Sequence, residues 1–132
     1  MSLTIFISGH LDLTHEEFTE HYEPLLKKCL ASGYVFVVGD ARGCDTMSQQ
    51  WLRSHGAMAT VFHMFHSPRN NHEFPCRGGF GSDAARDEAM TAASDADVAW
   101  VRPGRENSGT AKNLKRRMDL IEDEARKMEM EK

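Results

Sequence analysis

The residues best able to do chemistry are concentrated in three short stretches that each contain glycine. They are Ser8-Gly9-His10, Gly39-Asp40-Ala41-Arg42-Gly43-Cys44-Asp45, and Arg102-Pro103-Gly104-Arg105-Glu106-Asn107-Ser108-Gly109-Thr110. Glycine lets a backbone approach an anion closely and take up positive φ. Arginine, serine and threonine beside it add charge-assisted and neutral hydrogen bonds to phosphate oxygens. Any strand-to-helix junction can carry one glycine; two glycine-rich turns with Arg, Ser or Thr point to an oxyanion. Ser8, Gly9, Gly39, Arg42, Gly43, Asp45, Gly104, Ser108, Gly109 and Thr110 are therefore candidate ligand contacts. Arg86 joins them, because it stands in the first turn of an expected helix, where a cation opposes the helix dipole.

Each candidate also has a purely structural reading. Arg42 can tie strand ends together through Asp45 or Asp87, and Asp45 suits the N-cap of its helix. Ser108 and Thr110 can cap a helix, bind phosphate, or do both. Asp40 and Glu88 are the carboxylates left for acid/base work or ribose-hydroxyl contacts, although Glu88 also fits a solvated helix face. His63, His66, His72 and Cys76 have metal-ligand chemistry but not the regular four-ligand spacing of a zinc site, so no metal is expected. Neither GxxxxGK[ST] nor GxGxxG occurs, which disfavours ATPase and dinucleotide readings, and no cofactor is called for. Lys112, Lys115, Arg116 and Arg117 form a basic cluster that reads as a solvated face, with an anionic ligand or RNA as the alternative.

These residues need a frame to hold them. Residues 3–8 and 34–38 are apolar runs rich in strand formers, and 57–63 and 97–101 complete four expected strands. Thr14-His15-Glu16-Glu17 matches a capping box opening a helix, which Pro24 should kink or restart before Gly33 ends it. A second helix starts at Asp45, a third at Ser82 or Asp83. The last runs from Gly109 with Leu114, Met118, Ile121, Ala125 and Met128 as one apolar stripe. Residues 64–81 show no periodicity and read as a long loop. Strands alternating with helices predict an α/β, Rossmann-like three-layer fold with a mostly parallel central sheet and helices on both faces. In such a sheet the ligand lies beyond the carboxyl ends of the strands, where the glycine-bearing turns fall.

A chain of 132 residues is expected to form one domain over 1–132. Its net charge of −4 gives no global basic field, so duplex nucleic acid is an unexpected partner. No apolar run approaches the ~20 residues of a membrane span. The start passes straight into a strand-like segment with no basic region, so no signal peptide is expected. Cys29, Cys44 and Cys76 are odd in number and lack a CxxC pair, which fits reduced thiols and a cytoplasmic location.

Residues 39–45 resemble the G-G/D-A-R-G-x-D motif of the SLOG superfamily, which includes the lonely-guy phosphoribohydrolases and the DNA-processing-protein-A fold. Arg86-Asp87-Glu88-Ala89-Met90 is similar to that superfamily's R-N/D-x-x-M helix start. Pro103-Gly104 with Ser108-Gly109-Thr110 resembles a stretched P-G-G-x-G-T phosphate turn. The three motifs come in the family's order and span about Leu3 to Leu120. The resemblance implies a Rossmann-like domain that binds a nucleotide or nucleotide-derived ligand, and a homodimer or higher homo-oligomer. The lonely-guy enzymes also use a glutamate just after the G-T turn; here Ala111, Lys112 and Asn113 follow. The missing carboxylate favours a binding or sensing module. The alternative is a nucleotide N-glycosidic-bond hydrolase or deoxyribosyltransferase-like enzyme working through Asp40 or Glu88.

Overall fold

Alternation of apolar residues along the strands lets one short sheet serve two helical layers. In the computed structural model, which describes residues 2–131, β1 (Thr4–Ser8) sends Ile5 and Ile7 into one buried cluster and Phe6 into another. Likewise β2 (Val35–Gly39) places Phe36 and Val38 in the first cluster and Val37 in the second. The first cluster is the larger and packs against α1 (His15–His21), α2 (Glu23–Ala31) and α3 (Cys44–Ser54), with Phe18, Tyr22, Leu26, Trp51 and Leu52 buried there. On the other face α4 (Asp83–Ala92) contributes Met90.

Adding β3 (Ala59–Met64), β4 (Cys76–Phe80) and β5 (Ala96–Ala99) gives a five-stranded sheet in the order β4-β3-β2-β1-β5. Every strand pair is parallel. The fold is thus the expected α/β, Rossmann-like three-layer arrangement. Helix α5 (Gly109–Met130) follows β5 and packs beside α4.

Local signals explain most boundaries. The Thr14 hydroxyl accepts from Glu17 N–H at 3.1 Å while the Glu17 carboxylate accepts from Thr14 N–H at 2.9 Å, completing the capping box. The expected restart at Pro24 occurs, with α2 carrying the proline in its first turn.

Two expectations need correction. The stretch 64–81 is not all loop: β4 lies within it and pairs with β3 along the sheet edge. Its sequence, Cys-Arg-Gly-Gly-Phe, has few strand formers and only Phe80 half-buried, stacked on Phe62, so pairing with β3 and not an apolar pattern makes it a strand. Asp45 is not the N-cap of α3; Gly43 holds that position at φ 71°. The buried residues of α5 are Thr110, Asn113 and Arg117, none of them in its apolar stripe. Ionic contacts replace apolar ones here: Arg117 donates to Asp97 at 3.1 Å and to the Ser94 carbonyl at 3.0 Å. No described helix is long and apolar enough to cross a membrane.

Candidate functional site: a bipolar cleft at the strand ends

The chain leaves β1 for the α1 face and leaves neighbouring β5 for the α5 face, so loops diverge there and a crevice opens. A cavity of about 260 Å³ occupies it. Ser8, Gly9 and His10 at the end of β1 form its floor, Ala41 and Asp45 one side, and the starts of α4 and α5 the others. Glycine is required where the floor meets α3. A Cβ on Gly43 would fall 2.2 Å from the Leu11 carbonyl, and one on Gly9 would fall 2.5 Å from both Cys44 Sγ and the Tyr22 hydroxyl.

The α5 side of the cleft is a set of unsatisfied donors. Ser108 caps the helix by accepting from Ala111 N–H at 3.2 Å. The N–H groups of Gly109 and Thr110, at the positive end of the helix dipole, have no partner among the described residues. Across the floor, Ser8 is 6% exposed and its hydroxyl makes no hydrogen bond among the described residues. Buried hydroxyls normally find a partner, and leaving one orphaned costs about 1–3 kcal/mol. Arg105 stands at the same end, half-exposed and 3.5 Å from Asp12.

The α4 side has the opposite character. Asp40 is fully buried and accepts from Arg69 at Nε (3.1 Å), Nη2 (2.9 Å) and the backbone N–H (2.8 Å), and from Arg86 Nη1 at 2.8 Å. Burial alone would raise its carboxyl, but these bonds outweigh it and hold the group at about 2. Arg86 also pairs with Asp83 at 3.1 Å and Asp87 at 2.9 Å, so its guanidinium is committed within the protein. Asp45 makes no such ion pair among the described residues. Its Oδ2 accepts only from Ala41 N–H at 3.1 Å, and burial pushes the carboxyl up to about 7 against the pull of Arg86.

The chain matches no protein-family model, no characterised protein and no solved structure. Its chemistry has to be read from the cleft.

Seven of the sequence-selected residues come together there: Ser8, Gly9, Asp45, Arg86, Ser108, Gly109 and Thr110. Gly39 and Gly43 serve from behind. A Cβ on Gly39 would sit 2.5 Å from Asp45 Oδ2 and 2.9 Å from Arg86 Cζ, so its absence lets those groups approach. Arg42 is exposed and makes no ion pair with Asp45 or Asp87. Gly104, at φ 90°, shapes the turn before α5 without reaching the cavity. Glu88 is exposed and faces the groove between α4 and α5 instead. Asp40 lies behind the cleft as the anchor of two arginines.

Sequence reasoning missed Arg69, Asp87 and Asn113. Arg69 lies in an aperiodic stretch, and only the fold brings it to Asp40. Asn113 donates to Asp87 Oδ2 at 3.1 Å, a bond linking α5 to α4 that no local pattern announces. Gln49 does similar work from α3: it donates to the carbonyls of Gly39 (2.9 Å) and Asn70 (3.1 Å) and accepts from His72 N–H (3.0 Å).

Proposed function

We propose that the cleft binds the phosphoryl group of a nucleotide or nucleotide-derived ligand, and that the chain is a binding or sensing module of the SLOG type. The observation that carries this reading is the Ser8 hydroxyl, buried without a partner on the floor of a cleft that also presents free helix N–H groups. A phosphate oxygen accepts from hydroxyl, N–H and guanidinium donors together, and a helix N-terminus favours its charge. The carboxylates opposite, Asp45 and Asp87, suit sugar hydroxyls, which can donate to them. A thermal-shift screen against nucleoside monophosphates, nucleosides and ribose 5-phosphate tests the reading. A specific ligand at 100 times its dissociation constant stabilises the fold by about 2.7 kcal/mol. Stabilisation by the phosphorylated compounds but not by nucleosides supports it; no shift with any phosphorylated compound rejects it.

One observation favours a second, enzymatic reading. A carboxyl that titrates near neutrality can both take and give a proton, and a positioned acid/base group contributes about 10²–10⁴-fold to rate. If the cleft cleaves an N-glycosidic bond, Asp45 is the working group, in place of Asp40, which is locked in ion pairs, and Glu88, which lies elsewhere. Release of free base from nucleoside monophosphates at ~10 s⁻¹, lost in Asp45→Asn, would establish this reading. Binding without release leaves the sensing module.

A further inference from the structure

Helix α5 attaches to its own domain through polar residues and leaves its apolar ones outside. Met118, Ile121 and Met128 are 55%, 50% and 67% exposed. With Leu114 and Ala125 they recur at spacings of four, three, four and three, the a/d pattern of helices that pack knobs-into-holes. The flank of α5 turned towards α4 is a different one, carrying Arg116, Leu120 and Asp123. From Ile121 to Met130 every residue is exposed. An isolated helical stretch of that length is marginal in water, so the free half of α5 gains most from a partner.

Charge selects the partner. The first half of α5 displays Lys112, Lys115 and Arg116 against Asp119, whereas the second half carries Glu122, Asp123, Glu124, Glu129 and Glu131 against Arg126 and Lys127. Parallel pairing of two such helices would set like charge on like. Antiparallel pairing lays the basic half of each on the acidic half of the other, and a two-fold axis makes this contact twice. The present Lys115–Asp119 pair, at 3.3 Å, lies on the exposed surface and offers little resistance to exchange. We propose that a second copy of this chain packs antiparallel along the α5 stripe, joining two protomers.

Analytical ultracentrifugation of the full chain tests the proposal. Wild type should sediment as a dimer at micromolar concentration. Ile121→Glu should raise the dissociation constant more than about tenfold while leaving the circular dichroism spectrum unchanged, because the residue makes no buried contact in the protomer. Orientation is read from charge reversal. Lys115→Glu and Glu129→Lys should each weaken the dimer, and an equimolar mixture should restore it, since both pairs in the mixed dimer are then attractive. In a parallel dimer each position faces its own copy, so either single reversal exchanges one like-charge pair for another and does not weaken the dimer. A monomeric wild type, an Ile121→Glu variant that dimerises normally, single charge reversals that leave the dimer as tight as wild type, or a mixture no tighter than either variant would each overturn the proposal.

Discussion

Two aspartates five positions apart in the same turn have opposite fates, and their surroundings decide which. Asp40 sits among guanidinium donors and is held at about 2; Asp45 has one backbone N–H and burial, and rises to about 7. The consequences for stability have opposite signs. The depressed Asp40 contributes stability that is present above the unfolded value of 3.8 and is lost as pH falls towards 2. The raised Asp45 keeps its proton in the folded state while the unfolded chain releases it, so its contribution declines as pH rises from 3.8 to about 7. Denaturant titrations at pH 4 to 8 should therefore show Asp45→Asn gaining on wild type as pH rises and levelling off above 7. A constant difference across that range would remove the carboxyl from the account. Arg86→Ala should cost about 3–5 kcal/mol of stability, because it strips partners from buried carboxylates. Arg42→Ala should cost almost nothing, and unfolding midpoints compare the two.

At the scale of elements, what was legible followed from short-range rules. The capping box at Thr14, the restart at Pro24 and the apolar runs of β1 and β2 are written in neighbouring residues, so their elements could be read before any fold was known. Strand β4 could not, because it exists only through its pairing with β3. The α5 stripe was visible, but the face that packs was not, since it depends on Asp97 and Ser94, distant in sequence. The site divides similarly. The glycine turns marked the cleft, whereas Arg69, Asp87 and Asn113 arrive through tertiary contacts. Gly43 tests the most demanding junction. Its φ of 71° costs an L-residue about 1–2 kcal/mol, and a Cβ would strike the Leu11 carbonyl besides. Gly43→Ala should therefore lower stability by at least that amount in chemical denaturation. A neutral result would mean the β1 and β2 turns are not pressed together.

For the whole molecule, a net charge of −4 is compatible with the proposed anion site because that site is local. Donors cluster at one end of a cleft whose other end is acidic, so a ligand of the proposed kind would place its phosphate at α5 and its hydroxyls at α4. That polarity separates a phosphorylated sugar from a bare anion, which would use only half the cleft. Calorimetric titration of the wild type and Ser8→Ala with a nucleoside monophosphate panel, ribose 5-phosphate and inorganic phosphate is the most direct test. The proposed site should bind a phosphorylated sugar more tightly than inorganic phosphate. It should also lose about 2- to 12-fold in affinity with Ser8→Ala, the loss of one hydrogen bond, with no lower melting temperature. Failure of every phosphorylated compound to bind, or equal affinity in wild type and Ser8→Ala, would contradict it.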